Sequence, residues 1–216
     1  MDTYIDIHTH QVRSGENVIA VSNQMLHERG HTPTQLFSAG LHPWHADQLS
    51  PESLSEALDH AATYQNMIAY GETGLDKVCE IPLKLQQDVF ELHLRKAVKW
   101  KKPVILHCVK AWDELIEIAA GYHLLMILHG YNGSNQLTER LLQRGFCFSI
   151  GKSILNPASK IRHSIHLIPP SSLFCETDTS EISIQSIYAA VSSALKIEEK
   201  KLIRCILNNF NRLRHT

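Results

Sequence analysis

Apolar and polar positions along this chain fall into two periods. Short, nearly continuous apolar runs rich in Ile, Val, Leu and Phe occupy residues 4–10, 17–23, 37–43, 67–74, 104–108, 124–130, 146–151 and 173–178. Such runs suit strands covered on both faces. Longer stretches with helical spacing lie between them. Ser50 before Pro51 places an N-cap and a first-position proline at the start of a helix running to about residue 66. Leu83, Gln86, Phe90, Leu94 and Ala97 share one helical face and predict a helix over 82–101. Gly121 and Gly145 fit the position just past helices over 112–120 and 134–144. Further helices are predicted over 157–167, stopping before Pro169, and over 180–195 and 198–212.

Strand–helix alternation with eight strands predicts an α/β chain, either a (β/α)8 TIM-type barrel or an open doubly wound sheet. Such barrels typically need about 250 residues, and this chain has 216. The shortage has a location, because residues 11–16 are too few for a covering helix between the first two strands. No low-complexity segment, fixed-period repeat or long linker interrupts the pattern, so one domain over 1–216 is expected.

Charge narrows the partners. With 21 Lys+Arg against 22 Asp+Glu, the net charge of −1 excludes a broadly basic nucleic-acid coat. Any nucleic acid must be held by a local site. No apolar run reaches the length of a membrane span. The chain enters its first strand without a basic leader, and its five cysteines form no CxxC pair. These features predict buried, reduced thiols and a cytoplasmic location. Nothing in the sequence implies an obligate protein partner. The 14 histidines are the compositional outlier.

Several of them end apolar runs. In Asp6-Ile7-His8-Thr9-His10, residues 6, 8 and 10 share one strand face because the side-chain period is two. The run 67–74 carries Glu72, the runs at 104 and 124 lead into His107 and His129, and the last ends at Asp178. Each alone reads as a solvent-facing polar residue. Together they predict four imidazoles and two carboxylates at the C-terminal mouth of a parallel barrel, where active sites are built. That donor set suits a pair of divalent ions, with no thiolate required.

The chain resembles the TatD-type metal-dependent hydrolases of the amidohydrolase superfamily nearly end to end. The stretches that carry the resemblance are Asp6-Ile7-His8-Thr9-His10, Gly40-Leu41-His42-Pro43, Gly71-Glu72-Thr73-Gly74-Leu75-Asp76, Pro103 through His107, His129-Gly130-Tyr131-Asn132-Gly133, Glu176-Thr177-Asp178 and Asn209-Phe210-Asn211-Arg212-Leu213. The resemblance implies a (β/α)8 metallo-dependent hydrolase fold and metal-dependent deoxyribonuclease action on DNA ends. It assigns His8, His10 and Asp178 to one ion, His107 and His129 to the other, and Glu72 to a bridge between them. Three departures stand out. Many members carry His-x-Arg where this chain has His107-Cys108-Val109-Lys110, and a lysine lacks the bidentate grip of a guanidinium on phosphate. The usual Glu-Thr-Asp-x-Pro is here Glu176-Thr177-Asp178-Thr179-Ser180. The long segment that normally follows is missing, so the fold is abbreviated after its last strand as well as in its first crossover.

The chemistry implied is hydrolysis by a metal-activated water at two divalent ions, zinc, magnesium or manganese. By the resemblance Glu72 would be the bridging carboxylate, and Asp178 is the candidate general base. Lys110 and Lys152 are candidate phosphate contacts, while Lys77 reads as a solvated lysine. For His42 a phosphate contact, a hydrogen bond to a ligand and structural packing all stay open. Stacking on bases is open for Trp44 and Trp112, beside plain rim packing. Asp6, and similarly Glu176 and Asp76, either orient a metal-bound imidazole or close a buried polar network. Asn209 and Arg212 are read as packing the last helix, and His60, His93 and His163 as surface residues. Three functional readings follow: a phosphodiesterase acting on a DNA end or small phosphodiester, an amide or ester hydrolase, and a non-catalytic metal-binding homologue.

Overall fold

A computed structural model describes residues 2–11, 15–28 and 34–214. Its strands are β1 (Tyr4–Thr9), β2 (Val18–Met25), β3 (Phe37–Gly40), β4 (Met67–Asp76), β5 (Val104–Val109), β6 (Met126–Leu128), β7 (Cys147–Ile150) and β8 (Leu173–Cys175). Its helices are α1 (Pro51–Ala62), α2 (Leu83–Trp100), α3 (Trp112–Ala119), α4 (Asn135–Leu142), α5 (Lys160–Ser164), α6 (Ile184–Leu195) and α7 (Glu199–Arg214). The strands follow one another through the sheet in chain order, β1 to β8. Each of the eight apolar runs contains or overlaps one of these strands.

The chain is made of two compact units, one from the N-terminal stretch to Ser22 together with the chain from Ile127 onward, the other Asn23–Met126. In the first unit β1 pairs in parallel with the start of β2, β6 with β7, and β7 with β8. Thr9 also bridges in parallel to Asp178, just past β8. Ile5, Ile7, Phe148, Phe174, Val191, Ile206 and Phe210 form its buried core. The Tyr188 hydroxyl of α6 accepts from the Ile5 amide at 3.1 Å and donates to the Ile5 carbonyl at 3.0 Å. Asn209 of α7 donates to the carbonyls of Pro170 and Leu173, and Arg212 donates to that of Ser171. The last helix is thereby fastened to the turn that feeds β8, the packing role expected of these two residues.

In the second unit β3 pairs with β4 and β4 with β5, all in parallel. Every residue of β4 is buried, the apolar Met67–Tyr70 as a strand covered on both faces should be, and the polar Glu72, Thr73 and Asp76 with them. Helix α1 begins as the sequence predicts, with Ser50 Oγ accepting from the Ser53 amide at 3.2 Å. It stops at Ala62, short of 66, where Thr63 Oγ1 returns to the His60 carbonyl and Asn66 donates to the Gln35 carbonyl. Asp59 accepts from Lys96, Lys99 and Trp100 and ties α1 to α2.

In place of the expected helix over 157–167 there is a five-residue helix, α5, between 3-10 turns. Side chains divert its backbone donors: the Asn156 carboxamide takes the Ala158 amide and that of Asn132 takes the Ile161 amide. Both abbreviations are present. Among the described residues between β1 and β2 there is no helix, although residues 12–14 of that connection lie outside them. After β8, residues 176–183 lead straight into α6. The cysteines are all free thiols; Cys147 and Cys175 are buried and the other three half-buried. Among the described residues no helix is long and apolar enough to cross a membrane.

Candidate metal centres

In the first unit, strand register builds the site. The Asp178 amide donates to the His8 carbonyl at 3.0 Å, and the His10 amide donates to the Asp178 carbonyl at 3.1 Å. This short ladder carries Asp178 beside β1 at a φ of 52°, a conformation that aspartate tolerates better than most residues. Its Oδ1 consequently lies 3.9 Å from His8 Nε2 and 3.6 Å from His10 Nε2. The His129 ring, just past β6, packs against that of His8 with centroids 4.6 Å apart. His8, His129 and Asp178 each offer one donor atom, and all three atoms fall within 4.8 Å of one another. Ligand atoms on one divalent ion with bonds near 2.0–2.2 Å stand roughly 3–4 Å apart, so two imidazoles and a carboxylate at this spacing fit such an ion.

Buried carboxylates brace this cluster. Asp6 accepts from the Thr177 amide at 2.9 Å and from its hydroxyl at 2.6 Å, locking the segment before Asp178 to β1. Of the two roles open to Asp6, closing a buried network is the one these bonds show. Glu176 accepts the Gly130 amide at 2.6 Å and lies 3.4 Å from His129 Nδ1, within reach to orient that ring.

In the second unit, side-chain hydrogen bonds build the site. Glu72 Oε1 stands 3.1 Å from His42 Nε2 and 2.9 Å from His107 Nδ1, and these three residues form a second group able to hold an ion. The other His107 nitrogen lies 3.3 Å from Asp76 Oδ2. With an ion on Nδ1, the Nε2–H would point to a carboxylate, the arrangement that orients many metal-bound imidazoles. Burial pushes the Asp76 carboxyl up, but hydrogen bonds from the Trp44 indole and the Val78 amide, with His107 beside them, hold it below the ordinary range. The two glycines of the Gly-Glu-x-Gly element let β4 approach β5. Gly71 and Gly74 have φ of 122° and 143°, and a Cβ on either would collide with the carbonyl oxygen of Ile105 or His107.

His42 is buried inside the second cluster, with its Nδ1 accepting from the Trp44 amide. Lys110 and Lys152 are exposed just past β5 and β7. Lys77 forms an ion pair with Glu114 rather than standing free in solvent. His60 and His163 are exposed, but His93 is fully buried, against expectation. Its Nε2 accepts from the Leu41 amide and its Nδ1–H donates to the Val89 carbonyl, so a neutral ring is required. Burial lowers its pKa to about 4. His93 thus steadies the backbone next to His42. Asn23 and Gln86 do similar work unforeseen from sequence. Asn23 Oδ1 accepts from the Glu72 amide, and Gln86 holds both the amide and the carbonyl of Asp76. The available signal was a polar residue inside an otherwise apolar run or helix face.

Eight parallel strands alternate with helices, and imidazoles and carboxylates gather at the strand ends into groups able to hold a metal ion. A solved structure of the TatD homologue YjjV from Escherichia coli superposes with a TM-score of 0.84 at 24% identity, covering 99% of this chain and 98% of that one, which establishes the fold. In sequence, the uncharacterized metal-dependent hydrolase YjjV of E. coli K12 is 35% identical over 67% of this chain and 58% of its own length. The 3'-5' ssDNA/RNA exonuclease TatD of Erwinia tasmaniensis is 29% identical over 76% of this chain and 66% of its own. The chain therefore spans about three fifths of the length of the first of these relatives. The family model described as TatD related DNase matches residues 17–215. The chain belongs to the TatD family.

Proposed function

We propose that this chain is a phosphodiesterase that hydrolyses nucleic-acid ends through a metal-activated water. The observation that carries the reading is the gathering of imidazole nitrogens and carboxylate oxygens within 4.8 Å in both His8–His129–Asp178 and His42–Glu72–His107. Family membership and nuclease-named relatives support it. The ligands proposed are those named from sequence, His8, His10, Glu72, His107, His129 and Asp178, joined by His42 from the second group.

Bound divalent ions would supply a water of lowered pKa and positive charge against the phosphate oxygens. The protein's own residues supply the rest. Asp178, with its side chain about one-third exposed and anchored by its backbone to β1, is the proton acceptor. It takes a proton from the attacking water as the new P–O bond forms and returns it to the leaving oxygen. Glu176 and Asp76 keep the His129 and His107 rings oriented. Lys110 and Lys152 offer cations to phosphate.

The test is a hydrolysis panel of DNA, RNA, bis(p-nitrophenyl) phosphate and acyl esters, with zinc, manganese or magnesium added. Metal-dependent shortening of a labelled strand from one end supports the reading. Acyl ester turnover with no cleavage of any phosphodiester would overturn it in favour of carbonyl chemistry.

A further inference from the structure

Among the described residues the large apolar side chains most open to solvent include Trp44, 55% exposed, and Val78, 62% exposed. Both are tied to one carboxylate. Trp44 Nε1–H donates to Asp76 Oδ2 at 2.7 Å, and the Val78 amide donates to Asp76 Oδ1 at 2.7 Å. Asp76 is itself held by Gln86, and its Oδ2 also lies 3.3 Å from His107. The indole and the His42 ring stand nearly perpendicular, centroids 4.9 Å apart at 82°, and the His107 ring lies 6.3 Å away. An exposed tryptophan usually moves freely over a surface. This one is clamped at a fixed angle beside a ligand cluster, so its orientation is set before any ligand arrives.

We propose that Trp44 is the stacking platform for an unpaired base of a single-stranded nucleic-acid end, a specificity determinant that rests on the phosphodiesterase reading above. The flat face of a base matches an exposed indole whatever the sequence, and such stacking contributes substantially to single-strand binding. A net charge of −1 is poor for a duplex, whose binding draws on many phosphate contacts, but suffices where an aromatic surface shares the work with a few cations. The hydrogen bond to Asp76 leaves the face of the ring available, because it uses only the in-plane Nε1–H.

The test measures binding separately from cleavage. Phosphorothioate-linked oligonucleotides, one with ordinary terminal bases and one abasic there, are titrated by anisotropy against metal-supplemented wild type, Trp44→Ala and Trp44→Phe. The wild type is expected to bind the base-bearing strand roughly tenfold more tightly than the abasic one. Trp44→Ala closes that gap and Trp44→Phe keeps most of it. Wild-type fluorescence is quenched by the base-bearing strand, and the quench is lost in Trp44→Phe. The proposal is overturned by equal affinity of the wild type for both strands. It is also overturned if Trp44→Ala weakens both equally, which would mark Trp44 as a support for Asp76 and His107. Cleavage of the ordinary phosphodiester strands is scored apart: a retained base preference without cleavage sinks the nuclease reading and leaves the platform standing.

Discussion

The two ligand clusters are built by different means. In the first, backbone pairing of Asp178 with β1 sets the distances, and the His8 and His10 nitrogens lie 3.9 and 3.6 Å from the Asp178 carboxylate, beyond hydrogen-bond reach. In the second, Glu72 closes on His42 and His107 at 3.1 and 2.9 Å, and Asn23, Asp76 and His93 hold the group from outside. A site set by main-chain register tolerates side-chain change at its edges. A site set by a side-chain network loses its geometry when any supporting member is removed.

Asp178→Asn separates these cases most sharply. Asparagine preserves the left-handed backbone and the ladder to β1 but removes the proton acceptor. Turnover on a phosphodiester is expected to fall by about 10²–10⁴ with the melting temperature nearly unchanged. A variant that keeps its rate would assign the base elsewhere. Next comes His8→Ala with His10→Ala. Elemental analysis is expected to find bound metal falling from about two equivalents to about one. Metal-free wild type, even after loading, contradicts the whole assignment.

Gly74→Ala probes the second cluster through its backbone. A side chain at φ 143° facing the His107 carbonyl is expected to destabilise the chain by about 2–4 kcal/mol, read as a lower urea midpoint. The smallest effect is a pH dependence from His93. Its folded pKa of about 4 lies below the ordinary 6.5, so between these values the unfolded chain binds a proton that the native chain refuses. Stability is full above about pH 6.5 and falls as pH drops toward 4, by up to about 1.4 kcal/mol per unit from this group. His93→Gln should flatten that part of the urea-midpoint profile; an unchanged profile would remove His93 from the account.

Much of this molecule was legible along the chain. All eight strands fall within or overlap their apolar runs, and the Ser50–Pro51 start and the Leu83–Ala97 stripe place α1 and α2 within a few residues. These features are local: side-chain period and capping chemistry depend on neighbours in sequence. The helix over 157–167 failed for the opposite reason. Asn132, about thirty residues upstream, captures a donor that the helix needed.

The same division holds in the site. His8, His10, His107, His129, Glu72 and Asp178 could be proposed as ligands from sequence because they stand in or just past apolar strand runs, whose place in a parallel sheet is predictable. His93 could not be placed, since a histidine on a helix shows its burial only once the helix has docked. Nor could the clamp of Trp44 on Asp76 or of Thr177 on Asp6, partners 32 and 171 residues apart. By itself the sequence determined which residues stand at the strand ends, through a periodicity that is a property of the backbone. Only the tertiary structure decided which of them touch, because contacts between distant side chains arise from packing and leave no mark on the local pattern.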